Sequence, residues 1–358
     1  MWSHPLNGSG LGGIAATSST VIFGDRDLSD QQDVFQCLDA KSGEPLWSLQ
    51  YAAPGALDYG NTPRGTPLIA DGRVYLQGAM GHLHCVRLVD GEILWKRNLR
   101  TDFGATDELV WGTCGSPLLA DGKLIVNPGA AEASIVALDP VTGKVLWAAP
   151  GGPAAYGSLM AVELGGVPQV VGHDAESLGG WRLSSGERLW KLTPDLADDF
   201  NVPMPVVDGD ALIVSSENNG TRRYTFGEDG RIVSRPVAVA ENVAPDTASP
   251  VVSGGVLVSL FDQLYALDTA TLVQRGVFAD EAISTYGSLI ASDDRLLVAG
   301  ASGELLLFDL TGGELQLLSR LTLFHEPGGE NYAHPALVGS RLYIRGERAL
   351  QCVDLATR

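Results

Sequence analysis

The chain has 358 residues, 45% of them hydrophobic, with 44 glycines, 19 prolines and a formal net charge of −19. So many helix-breaking residues exclude long helical bundles. With 19 arginines, 5 lysines and no basic run, the chain has nothing to neutralise a row of phosphates, which excludes nucleic acid as a partner. No stretch approaches the ~18 consecutive apolar residues of a membrane span, and the opening MWSHPLNGSG lacks the basic and apolar regions of a signal peptide. The four cysteines include no CxxC and no adjacent pair, so they build no disulfide scaffold.

Length alone suggests two or three domains, but an internal repeat accounts for it differently. Each unit begins with a predicted hairpin and ends in an eleven-residue strand–turn–strand copy. The first pairs GGIAATSSTVIFG from Gly12 with CLDAKSGEPLW from Cys37. Next come GTPLIADGRVYLQG from Gly65 with CVRLVDGEILW from Cys85, and GSPLLADGKLIVNPG from Gly115 with ALDPVTGKVLW from Ala137. GSLMAVELGGVPQVVG from Gly157 precedes GWRLSSGERLW from Gly180, and MPVVDGDALIVS from Met204 precedes YTFGEDGRIVS from Tyr224. ASPVVSGGVLVS from Ala248 leads to ALDTATLVQRG from Ala266, GSLIASDDRLLVAG from Gly287 to LFDLTGGELQL from Leu307, and AHPALVGSRLYI from Ala333 to the truncated CVDLATR from Cys352.

A period of about 45 residues with four strands per unit is that of propeller blades. The reading is an all-β, eight-bladed β-propeller of four-stranded antiparallel blades, one domain over residues 1–358. The eighth copy stops before its fourth strand, and Trp2 stands where the other copies carry their terminal tryptophan. Blade 8 is therefore predicted to be shared between residues 333–358 and 1–7, closing two open sheet edges.

The loops entering the innermost strands should converge on one mouth of the axial channel. They carry Asp58, Tyr59, Asn61, Arg64, Glu108, Trp111, Tyr156, Phe200, Asn201, Asp246, Tyr286, Glu330, Asn331, Tyr332 and His334. Rings interleaved with polar groups suit stacking on, and hydrogen bonding to, a sugar-like or planar ligand, and equally suit filling the channel. Tyr59, Arg64, Trp111, Tyr156, Tyr286 and His334 are expected in one cavity. Arg64 could fork a carboxylate or tie blades through backbone carbonyls. Glu330, Tyr332 and His334, with Arg64, are the candidate catalytic set, by residue type. His82 and His84 share a strand face but lack a third ligand, so they are read as packing and no metal is expected. Cys37, Cys85 and Cys352 occupy one repeat position in neighbouring blades, too far apart to pair, and read as buried hydrophobes; Cys114, beside the mouth, is the thiol to test for reactivity.

The recurring Leu-Asp-x-x-x-Gly-x-x-x-Trp, at Leu38 to Trp47 and Leu138 to Trp147, resembles the tryptophan-docking repeat of the pyrroloquinoline-quinone-like (quinoprotein) β-propellers. Arg87 and Arg182 replace the aspartate, and the last four copies lack the tryptophan. The resemblance implies a tryptophan packed between blades. It also implies one of two functions: a quinone-dependent dehydrogenase, or a non-catalytic relative such as the propeller lipoprotein of the outer-membrane assembly machinery. The dehydrogenases hold quinone against adjacent cysteines with calcium or a lanthanide; this chain has no adjacent cysteines. The favoured expectation is a non-catalytic binding or scaffold propeller with no cofactor, periplasmic or extracellular by resemblance, monomeric, holding a protein or a small carbohydrate-like ligand at the mouth. The alternative is an enzyme at the mouth: a quinone-dependent alcohol or sugar dehydrogenase using calcium, or a cofactor-independent lyase or hydrolase.

Overall fold

The repeat's aspartate explains why each copy turns where it does. In a computed structural model, which describes residues 1–8, 10–283, 286–324 and 332–356, Asp139 Oδ1 accepts the backbone N–H groups of Val141 (3.0 Å) and Thr142 (2.7 Å) and the Thr142 hydroxyl (2.8 Å). Asp39 and Asp268 bind their own turns the same way. Four residues on, the backbone enters the left-handed region at Gly43, Gly91 and Gly143, where glycine carries no Cβ penalty. In the sixth copy Leu272 holds that position at φ 55°; it is 3% exposed, and its burial offsets a strain of about 1 kcal/mol.

Among the described residues the strands form eight four-stranded antiparallel sheets, and the fold is an eight-bladed β-propeller. Blade 1, representative of the set, runs Ala15–Ala16, Thr20–Arg26, Gln32–Asp39 and Pro45–Ala52. Blade 8 runs Ala336–Val338, Arg341–Arg345 and Ala349–Asp354, and its fourth strand is Trp2–Pro5, paired antiparallel with Trp2 opposite Cys352 and Pro5 opposite Ala349. The predicted completion of the last blade by the N-terminal strand is correct.

The chain divides into two compact units, residues 1–154 with 329–358, and residues 155–328. The first contains blades 8, 1, 2 and 3. Here Trp2, Trp47 and Trp95 each sit on the next blade's turn. The indole N–H of Trp2 donates to Ala40 O (3.1 Å), that of Trp47 to Leu88 O (2.8 Å) and that of Trp95 to Pro140 O (3.1 Å). Each ring lies so close to Gly43, Gly91 or Gly143 that a Cβ there would come within 2.5–2.8 Å of it. The apolar core of this unit is correspondingly divided into layers between neighbouring blades, such as Phe35, Cys37, Trp47 and Leu49 against Val74, Leu76 and Val86.

The second unit contains blades 4 to 7, with layers of the same kind, such as Leu260, Leu264 and Ala266 against Leu296, Val298 and Leu306. Trp190 departs from the pattern: its indole N–H donates to Gln169 Oε1 (2.7 Å), and Gln169 Nε2 passes the link to Gly230 O (2.7 Å). Blade 5 corrects the sequence reading. The segment Arg231 to Ser234 makes only a bridge from Ile232 to Phe226, and the fourth strand is Ala238–Ala240. Pro236 has no N–H for a ladder, so pairing resumes only after it.

Candidate functional site

The loop entering blade 2 is pinned from both sides. On one side the buried Arg26 donates from Nη1 to Asp33 Oδ1 (2.6 Å), from Nε to Asp30 Oδ1 (2.9 Å) and from Nη2 to Ala53 O (3.0 Å). Asp30 Oδ2 in turn accepts from Asn61 Nδ2 (2.7 Å), and Asn61 Oδ1 accepts the Leu57 N–H (3.0 Å). Asn61, 7% exposed, thus ties its loop to the Asp30 turn of blade 1 through its amide nitrogen and braces the loop itself through its oxygen.

Arg64 secures the other side. Its Nη2 donates to Asp58 O (2.7 Å) and Gly60 O (2.8 Å), and its Nε to Trp111 O (3.0 Å). The fork therefore ties the loop entering blade 2 to the loop entering blade 3, which also meet where the Asp58 N–H donates to Val110 O (3.0 Å). Of the two roles open to Arg64 from sequence, these contacts favour tying backbone over holding a ligand. Burial lowers its pKa, yet so basic a group stays charged.

Held between these anchors, Tyr59 takes φ 61°, left-handed backbone that a bulky side chain rarely adopts, and leaves its ring 56% exposed. Trp111 lies edge-on to it (6.4 Å between centroids, 70°), and Tyr332 from the loop entering blade 8 meets it the same way (6.0 Å, 75°). Val110, beside them, is 45% exposed. The entry to blade 1 lets these loops close in: a Cβ on Gly12 would lie 2.6 Å from Pro63 O, and one on Gly13 2.2 Å from Thr66 Oγ1. Three expected mouth aromatics from loops entering blades 2, 3 and 8 are therefore one cluster, with Arg64 beneath.

His334, also in the first unit, is exposed, and its carbonyl accepts the Ile14 N–H (3.1 Å). Asp58 and Glu108 are exposed. The Cys114 thiol donates to the carbonyls of Trp111 and Gly112 (both 3.5 Å), and burial raises its pKa to about 12. Cys37, Cys85 and Cys352 are free and buried. Tyr51 packs on His84 (4.3 Å) and His82 (5.0 Å), and burial pushes the His84 pKa down to about 4. In the second unit, Asn201 is buried at φ 55°, Phe200 is 48% exposed, Asp246 accepts the Thr247 hydroxyl (3.3 Å), and Tyr156 and Tyr286 are half-buried. Glu330 and Asn331 lie outside the described residues.

The carbonyl-tying role of Arg64 was one of two open from its place between Pro63 and Gly65 just before a strand, whereas the left-handed backbone of Tyr59 was not visible in the sequence.

Blade number, closure and the tryptophan contacts define a propeller of the quinoprotein-like class. The sequence profile of outer membrane protein assembly factor BamB matches residues 30–234 and 174–358, and the chain belongs to that family. It is 24% identical over 237 residues to outer membrane protein assembly factor BamB of Yersinia pestis, covering 65% of this chain and 55% of that protein. It is 27% identical over 161 residues to 1-butanol dehydrogenase (cytochrome c) of Thauera butanivorans, covering 42% and 22% respectively. The chain thus spans less than two thirds of the length of the curated relatives it matches. Among solved structures, BamB from Moraxella catarrhalis superposes with a TM-score of 0.64 at 15% identity, covering 98% of this chain and 96% of that one. Quinohemoprotein alcohol dehydrogenase ADHIIG from Pseudomonas putida HK5 gives 0.68 at 13%, covering 100% and 76%.

Proposed function

We propose that the chain is a non-catalytic interaction propeller whose aromatic cluster, Tyr59, Trp111 and Tyr332 with Val110, grips a protein partner engaged in outer-membrane protein assembly. The carrying observation is Tyr59: a strained, more than half-exposed ring held in place by a buried arginine. Strain kept at a surface position marks a group ordered for use, and rigid aromatics anchor protein interfaces. The names of the BamB relatives supply the process, and the family resemblance supports a periplasmic setting.

Kinship with quinone alcohol dehydrogenases supports a second reading, catalysis at the mouth. The donor set supports it less. The chain has no adjacent cysteines, and among the described residues no three His, Cys, Asp or Glu side chains gather to hold a metal ion.

Deleting the chain from its source organism tests the proposal. The expected result is depleted outer-membrane β-barrel proteins, restored by the wild-type chain and not by Tyr59→Ala/Trp111→Ala. An unchanged outer membrane, together with dye reduction by the purified chain given pyrroloquinoline quinone, calcium and an alcohol, would establish the enzyme instead.

A further inference from the structure

We infer that the crevice between blades 4 and 5 is a binding site for a neutral, hydroxyl-bearing small molecule, with His173, Ser216, Asp199 and Arg222 as its polar contacts. The crevice lies wholly in the second unit, and its cavity of ≈ 30 Å³ has room for about two waters or one hydroxymethyl group. His173 is the penultimate residue of the strand Val167–Asp174 of blade 4, and Ser216 ends the strand Ala211–Ser216 of blade 5. Both line the cavity, at 8% and 7% exposure, and neither side chain has a hydrogen-bond partner among the described residues. Their polar atoms open onto the cavity and are not sealed in protein, so what fills that space must meet their hydrogen bonds.

The chemistry of the lining selects the ligand. Burial pulls the His173 pKa down to about 4, so at neutral pH its ring offers one N–H donor and one lone pair. Asp199 is fixed by the Asn218 N–H (2.8 Å) and Asn219 Nδ2 (2.6 Å) and keeps further acceptor capacity. Arg222 already faces Asp195 (3.3 Å). An anionic ligand would meet Asp199 with no unpaired cation to balance it, and a cationic one would meet Arg222. A neutral hydroxyl both gives and receives hydrogen bonds and satisfies His173 and Ser216 together. Leu178, Leu192, Val214 and the Tyr224 ring offer apolar surface to its carbon skeleton. The site shares no residue with the aromatic cluster and does not depend on the scaffold reading.

The full chain, labelled with ¹⁵N-histidine, carries only six histidines, which makes the His173 ring signal assignable by comparison with His173→Gln. Titration with glycerol and with methyl α-D-glucoside should shift that signal saturably at millimolar concentrations, and acetate and methylammonium should not. Ser216→Ala should weaken the response about tenfold, the worth of one hydrogen bond, while leaving the melting temperature unchanged. No saturable shift with either neutral probe, an equal response to the charged probes, or full affinity in Ser216→Ala would overturn the proposal. Should Ser216→Ala melt early, diffraction from crystals of the wild-type chain soaked in glycerol decides: a hydroxyl between His173 and Ser216 upholds the site, and water alone there refutes it.

Discussion

Replacing Arg64 with methionine preserves most of the side chain's length and removes its fork. Three hydrogen bonds go, to the carbonyls of Trp111, Asp58 and Gly60. The Trp111 carbonyl is part-buried and keeps only the weak Cys114 thiol donor, so losing the arginine there costs about 1–2 kcal/mol. Asp58 and Gly60 are exposed, so water replaces the fork there and each bond is worth about 0.5–1 kcal/mol. Release of Tyr59 from its left-handed backbone returns about 1 kcal/mol. The net expectation is a destabilisation of about 2 kcal/mol in urea unfolding, with earlier proteolytic cleavage between Ala53 and Arg64. Arg64→Lys keeps the charge but cannot span three acceptors, so it should fall with methionine. Rescue by lysine, or a methionine variant as stable and protease-resistant as wild type, would refute the clamp and with it the account of why Tyr59 stays strained.

The interblade tryptophans should be worth more. Trp47→Ala removes a side chain 9% exposed and its bond to Leu88, an expected loss of about 3–5 kcal/mol by urea denaturation; Gly91→Ala, which drives a Cβ into the same ring at φ 75°, should destabilise in the same direction. Arg345 is 1% exposed and holds Gly24 O (2.7 Å) and Gly8 O (3.1 Å), so Arg345→Met should cost about 3 kcal/mol and free the N-terminal strand to proteases. His84 is buried with its pKa lowered to about 4, below the ordinary 6.5. The unfolded chain therefore binds the proton first. The stability is complete above pH 6.5 and declines as pH falls toward 4, by about 3 kcal/mol in all. Denaturation measured across that range should show the decline, and His84→Phe, which keeps the packing on Tyr51, should lessen it by about that amount, leaving the part that buried His173 contributes.

The fold was legible because its determinants are local and repeated. An aspartate that binds its own turn, a glycine that must go left-handed and a tryptophan at fixed spacing recur in enough copies to reveal the period, and Trp2 in that register betrayed the strand that completes blade 8. Blade 5 misled because its copy keeps the turn glycines but delays the fourth strand beyond Pro236. The site was legible in type only. Tyr59, Trp111 and Tyr332 could be assigned to entry loops, but their meeting depends on Arg64 and Asn61 binding backbone, and no spacing rule encodes that. His173 and Ser216 each sit in an ordinary strand, and only the gap between two blades makes them a pair.

The central claim, that the aromatic cluster is where a protein partner is held, is tested most directly by placing a photo-crosslinking amino acid at Tyr59 and at Trp111 of the chain in its native cell. The account predicts a crosslink to a component of outer-membrane protein assembly from both positions and none from Leu28, which is more exposed (86%) but lies outside the cluster. Equal crosslinking from Leu28, or none from either aromatic position, would contradict it.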